Sequence, residues 1–280
     1  MLLRDLMIGA IVLAAAVIGP AAAQQPFDAG KYPAFAGQWL RIGPLGVFDP
    51  TKPPGRGQQA PLTKEYQAIF EANLADVAKG GFGDDPVYTC IPEGMPRAMS
   101  LVLPMEIVIT PNTTYMLMEY LSMLRRIYTD GRDFPTDEDS SWMGYSIGKW
   151  IDEDGDGRYD ALEIETRNLK NPRSFDPSGL PLHKDAETVI KERLTLAKSN
   201  PDLLYDEITT YDHALTQPWK VVRSMRREKH PIWVESICAE GNVHVKIGNE
   251  TYMLDADNLL MPVKKGQPPP DLKNFGDAKK

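Results

Sequence analysis

Residues 144–167 read GYSIGKWIDEDGDGRYDALEIETR, and the parsing of this stretch decides the fold. Asp152, Asp154, Asp156, Asp160 and Glu163 fall at positions 1, 3, 5, 9 and 12 of a twelve-residue loop, with Gly157 at position 6 and the carbonyl of Arg158 at position 7. That is the oxygen-ligand spacing of a calcium loop. An EF-hand would need a helix on each side. Upstream, two glycines among Tyr145, Ile147 and Trp150 make a poor helix and a fair strand. Downstream, Leu162, Ile164 and Thr166 alternate with Glu163, Glu165 and Arg167, the period of a half-buried strand. The stretch reads as strand, calcium loop, strand. Glu163 is the least secure ligand, because a strand residue need not turn back to the ion. The alternative is an acidic hairpin tip that binds nothing.

Outward from this hairpin the same period recurs. Strands are expected at 106–110, 114–120, 123–128, 145–151, 159–167, 188–198, 203–211, 219–227, 233–239, 243–247 and 250–254. Turn signals separate many of them, among them Pro111-Asn112, Asp130-Gly131, Asn200-Pro201-Asp202 and Thr216-Gln217-Pro218. Many short strands without βαβ alternation imply a mainly β chain. The expected architecture is an antiparallel meander closed into a lipocalin-like barrel, since closure removes exposed edges. One amphipathic helix is expected at 63–79, capped by Thr63, with Tyr66, Ile69, Phe70, Leu74 and Val77 on one face and Gly80-Gly81 as its stop. A single β domain would then cover 61–260. It follows an irregular arm, 24–60, with one strand at 37–41, and precedes a Pro-rich tail, 261–280.

Residues 1–23 have the pattern of an export signal: Arg4, an apolar run over 7–18, and Ala21-Ala22-Ala23 before Gln24. A periplasmic or secreted protein is expected, with an uncleaved anchor as the alternative. No second apolar run is long enough for a membrane helix. The net charge of -8, from 31 basic and 39 acidic side chains without a basic stripe, speaks against nucleic acid as a partner. Arg223, Arg226, Arg227 and Lys229 form the one basic cluster and read as the solvated part of a strand. Cys90 and Cys238, the two cysteines of an exported chain, suggest one disulfide, with two buried thiols as the alternative.

Several segments in order carry a resemblance: Phe35-Ala36-Gly37-Gln38-Trp39, Asp85-Pro86 through Cys90-Ile91-Pro92-Glu93-Gly94-Met95-Pro96-Arg97, Tyr128-Thr129-Asp130-Gly131-Arg132, Gly144 through Trp150, and Thr209-Thr210-Tyr211-Asp212 with Pro218-Trp219. The chain resembles a family of secreted bacterial proteins of unknown function. The resemblance implies export and a shared β fold, and no mechanism. Many relatives have a short Gly-Asp turn where this chain has its acidic loop, which makes calcium an addition to this branch.

Candidate chemistry is sparse. His183 could pair with Asp185 or Asp212 as an acid/base couple, and His213 follows Asp212 directly. The alternative is that these are ordinary polar loop residues. No nucleophile elbow, phosphate loop, dinucleotide fingerprint or zinc spacing is present. Met105, Met116, Met118 and Met123 read as core filler that could also line an adaptable cavity. The expected function is binding of a small, partly apolar ligand that enters near His183. An enzyme using the His/Asp pair and a structural protein of the envelope are the alternatives.

Overall fold

The computed structural model describes residues 27–100, 102–240, 243–271 and 273, so the expected export signal lies outside the described residues. Nine strands close into a barrel in chain order: β1 (Gly37–Ile42), β2 (Met105–Ile109), β3 (Thr113–Met118), β4 (Met123–Tyr128), β5 (Tyr145–Ile151), β6 (Ala161–Arg167), β7 (Val189–Ala197), β8 (Asn200–Tyr211) and β9 (Trp219–Arg227). Three shorter strands, β10 (His244–Ile247), β11 (Glu250–Leu254) and β12 (Leu260–Pro262), form a second sheet. The long helix α1 (Lys64–Val77) starts where the sequence places it: the Thr63 side chain accepts the Tyr66 N–H. Tyr66 and Phe70 are buried, whereas Val77 is exposed. No helix among the described residues is long and apolar enough to cross a membrane.

The barrel is not wholly antiparallel, and its strand count explains why. In a ring with an odd number of strands, strict alternation of direction cannot close. β1 and β9 meet antiparallel, Leu40 opposite Arg226, so a parallel neighbour must occur elsewhere. It is β4–β5, with Ile127 opposite Ser146. A parallel pair needs a long crossover, and residues 129–144 supply it. Asp133, Asp137, Glu138 and Asp139 lie in that crossover.

The strand expected in the arm is present, but its setting differs. The arm reads as irregular and outside the β domain, yet β1 is the stave that closes the barrel between β2 and β9. The β7–β8 turn lies at Lys198–Ser199, because Asn200 and Asp202 already belong to β8. Residues 233–237 form no strand, and Cys238–Glu240 is a single 3-10 turn. Val243 to Leu254 does not extend the meander but builds the second sheet. That sheet is held against the body by the Cys90–Cys238 disulfide and by Lys246–Asp84 and Lys264–Asp76 ion pairs.

The barrel interior is filled by its own side chains. Trp39, Met105, Ile107, Met116, Met118, Ile127, Leu162, Ile164, Ile190, Leu194, Leu204, Ile208, Val221 and Met225 share one core. The four methionines of the sequence reading are all buried in it. A polar group is set inside this apolar lining. Arg125 of β4 is 1 % exposed and forms a two-pronged ion pair with Glu192 of β7. It also donates to Thr166 at 2.8 Å and Ser146 at 3.2 Å. Arg223 points inward too, which corrects its assignment to a solvated cluster. It is 1 % exposed and donates to the carbonyls of Val47 and Phe48.

Removing one partner of a buried pair leaves an uncompensated charge. Glu192→Leu should therefore cost about 3–5 kcal/mol in urea unfolding, and Glu192→Leu combined with Arg125→Met should recover most of that loss. Additive losses would show that the two side chains act independently.

Candidate functional site

The β6–β7 and β8–β9 connections lie at one end of the barrel, and the β5–β6 loop lies at the other. The first end is stoppered. Phe48 from the arm, Met95 and Met99 from residues 91–100, and Leu169, Phe175, Leu180 and Leu182 from the long loop all join the core. Phe48, Phe175 and Trp219 stack around one another with ring centroids 5.0–5.1 Å apart. Residues 91–100 are thus part of a plug.

Charges are buried in that plug. Arg97 binds Asp85 at 2.7 Å and Glu93 at 3.1 Å, and donates to Ser174 at 2.8 Å. Gly94 makes the tight approach possible. It has φ +63°, and a Cβ there would meet the Trp142 carbonyl at 2.5 Å. Burial pushes the Glu93 carboxyl up to about 7, with Arg97 opposing and Asp85 adding to the rise. Burial likewise raises Asp176, and burial together with Glu93 raises the Tyr120 hydroxyl.

Above these groups lies a cleft of about 470 Å³. Asp85, Glu93, Arg97 and Tyr120 line it, with Val47, Val87, Val102, Leu121 and Ile237 as apolar wall. Cys238, His244 and Tyr88 close one side, so the second sheet forms part of the rim. His244 packs edge-on against Phe82 and Tyr88. A partly apolar cleft with a few convergent polar groups, one of them a carboxyl titrating near neutrality, is the usual form of a ligand site.

The acidic loop projects from the opposite end. Asp152, Asp154 and Asp156 bring one carboxylate oxygen each within 4.8 Å of one another. Backbone N–H groups face inward as well: Gly155 and Gly157 donate to Asp152, Asp156 to Asp154, and Arg158 to Asp156. Gly157 adopts φ +87°, which the turn at position 6 requires. Asp160 accepts from the Glu153 N–H. Glu163 lies on β6, outside the three-carboxylate group, and pairs with Arg193, which also binds Glu153. The base of the loop is tied to the arm by the Tyr159 N–H to Lys31 carbonyl bond and by packing of Tyr32 on Trp150 and Tyr159.

The histidine region comes together at the stoppered end. Asp185 Oδ2 lies 2.8 Å from His183 Nδ1 and 2.7 Å from His213 Nδ1. Asp212 does not touch either ring. It accepts the N–H groups of His183 and Ala214 and the Thr188 hydroxyl. The hydrogen bond that His213 donates to Asp185 raises its imidazole; Asp185, which burial alone would raise, is held low by the neighbouring imidazoles. A smaller cleft of about 350 Å³ lies beside His183, lined by Tyr66, Ile69, Arg173, Leu182 and Lys184 among others. His230 takes no part in either site: its N–H is bound by Glu228.

Comparison with protein-family models gives no match, and no curated protein is similar to the chain. The segments quoted for the resemblance have structural work in this fold. Asp85, Cys90, Glu93 and Arg97 build the plug, its disulfide and the cleft floor. Trp39 donates to the Phe35 carbonyl at 2.7 Å. Arg132 lies over Tyr128, which stacks on Tyr145. The sequence reading passed over Glu93 and Arg97. Their signal was an i, i+4 pair of opposite charges set among Gly94, Met95, Pro96, Ala98 and Met99, a setting too apolar for two solvated charges.

Glu93 sets a pH dependence. Its carboxyl is raised above the ordinary 4.5, so the folded chain keeps a proton that the unfolded chain releases. Its share of stability is complete below pH about 4.5 and falls until about 7. Urea midpoints across that window should fall less in Glu93→Gln than in the parent protein. Parallel curves would mean that Glu93 ionises normally.

Proposed function

We propose that the chain is an exported β-barrel protein that binds a small, partly apolar ligand in the cleft at the stoppered end. The cleft carries this reading. Its volume of about 470 Å³ lies in the range of ligand sites, about 300–1,000 Å³. Its walls are apolar and its floor offers Glu93 and Tyr120. A carboxyl close to half-protonated near neutral pH can both donate and accept a hydrogen bond. The ligand would therefore have an apolar body and one hydrogen-bonding group. Because the barrel interior is filled, the ligand sits at the barrel end and not inside it. Export rests on the signal-like residues 1–23 and on a disulfide, which persists in oxidising compartments.

N-phenyl-1-naphthylamine, an uncharged fluorescent probe, tests the site. It should bind the purified protein with a Kd in the micromolar range, about 8 kcal/mol. Val102→Glu, on the exposed rim, should weaken binding about tenfold or more, a loss of about 1.4 kcal/mol. No binding, or equal binding by the variant, would reject the cleft.

A second reading concerns the acidic loop, which we propose holds one calcium ion. Three carboxylates within 4.8 Å repel one another without a cation, and hard oxygen donors suit calcium. Asp152, Asp154, Asp156, the Arg158 carbonyl and Asp160 would supply ligands. Glu163 would contribute only if it left Arg193. The affinity should be weak, about 0.1–1 mM, as in extracellular modules. Calcium should raise the Tm, and Asp156→Ala should remove that rise while leaving metal-free stability near normal. An undiminished calcium effect in the variant would refute the loop as the site.

A further inference from the structure

We propose that His183, Asp185 and His213 form a binding site for a divalent transition ion of the zinc type, distinct from both the cleft and the acidic loop. Each residue contributes one ligand atom, and the three atoms lie within 4.8 Å of one another. Two imidazole nitrogens and one carboxylate oxygen are the donor set that zinc takes at sites with an open position.

The convergence is specific. Both Nδ1 atoms point at the same oxygen, Asp185 Oδ2, at 2.8 and 2.7 Å. His183 Nδ1 also receives the Asp185 N–H at 3.1 Å. A ring nitrogen that accepts an N–H presents a lone pair, and it cannot at the same time donate a proton to a carboxylate. The His183 lone pair therefore faces the Asp185 oxygen with no proton between them, and a cation would bridge that pair of acceptors. Zinc at about 2.0–2.2 Å from each atom needs ligand separations of about 3.3 Å in tetrahedral geometry. An opening of about half an ångström meets that need, and the exposed His213 ring can provide it.

The site is built rather than accidental. Two loops distant in sequence carry it, and Asp212 clamps them together. One Asp212 oxygen accepts the His183 and Ala214 N–H groups, at 2.8 and 2.9 Å, and the other accepts the Thr188 hydroxyl at 2.6 Å. The Tyr66 ring packs on His183 at 5.2 Å and limits its rotation. His213 is 62 % exposed, so a fourth ligand position opens to solvent. Glu187, 3.9 Å from His213 Nδ1, is within reach of that position.

The test uses protein without a histidine tag, stripped with chelator. Calorimetry should give one zinc ion per chain, and cobalt should give the intense visible absorption of a tetrahedral site. His213→Ala should weaken zinc binding by at least about tenfold and abolish the cobalt spectrum, with an unchanged Tm in the absence of metal. Asp156→Ala should keep both. Absence of zinc binding overturns the proposal, and so does zinc binding that survives His213→Ala. Loss in Asp156→Ala with retention in His213→Ala would instead place the ion on the acidic loop and equally overturn it.

Discussion

The ion pair between Arg125 and Glu192 is the constraint around which the barrel is arranged. Two charges taken out of water are tolerated only if every hydrogen-bonding valence finds a partner. Here the partners come from successive staves: Arg125 from β4, Ser146 from β5, Thr166 from β6 and Glu192 from β7. The girdle continues with Asp206 on β8 and Arg223 on β9, which stand opposite each other in register. Among the described residues neither Asp206 oxygen has a hydrogen-bond partner. Burial pushes the Asp206 carboxyl well up, with Glu192 adding to the rise. Burial lowers Arg223 to about 10, and the Val47 and Phe48 carbonyls take up part of its guanidinium. A one-residue slip of any of these strands would turn its charged member outward and break the girdle, so the polar belt fixes register as strongly as the apolar lining does.

The girdle also ties the plug to the barrel. Arg223 reaches across to the arm at Val47 and Phe48, and Arg125 lies against Met99 of the segment that precedes β2. Arg97, inside the plug, then joins that segment to the long loop through Ser174. Burying charges in the plug is costly, and a structure that needed only closure would use apolar side chains. What the charges provide is a polar floor under an apolar cleft. The Cys90–Cys238 bond places the second sheet over the same floor. It closes a long loop, with a sequence separation of 148, and in the chain-entropy model such a loop contributes about 5 kcal/mol. That contribution holds a small three-stranded sheet that has little core of its own, Tyr252 being its one buried apolar side chain among the described residues.

Much of the fold was legible because strand period and turn chemistry agree. β4, β5 and β9 fall where alternation and flanking turns place them. The parallel pair was not legible, because strand direction follows from how the ring closes and not from any one segment. β1 was legible as a strand at 37–41, but its Gly- and Pro-rich surroundings hid its place in the barrel. The strand expected at 233–239 failed for the opposite reason: Ile232, Trp233, Val234 and Ile237 favour a strand, but all are exposed and no neighbouring strand takes them up. The inward charges carried a readable signal that composition obscured. Met123, Arg125 and Ile127 alternate in one phase, as do Ile190, Glu192 and Leu194, Leu204, Asp206 and Ile208, and Val221, Arg223 and Met225. Each triplet sets a charge between two apolar residues facing the same way. A charge cluster read along the chain looks solvated, whereas read by phase Arg223 separates from Arg226. The histidine cluster had its members in the sequence, but only the fold brings residues 183 and 213 together.

A filled barrel changes where function can sit. In a hollow barrel the lining decides the ligand, and the ends only gate it. Here the lining is committed to packing and to the girdle, so the interior holds no room for a ligand. The two ends are chemically unlike. The end with the β5–β6 loop offers exposed carboxylates and backbone N–H groups on a hairpin tied down by Tyr32, Trp150 and Tyr159. The stoppered end offers an apolar cleft over buried charges, and beside it two imidazoles sharing one carboxylate. Hard-oxygen donors and nitrogen donors suit different classes of cation. The staves between them, stiffened by a girdle that cannot shift register, keep the two ends a fixed distance apart. A register shift of β4 or β7 would have to break the Arg125–Glu192 pair, and its burial makes that break expensive.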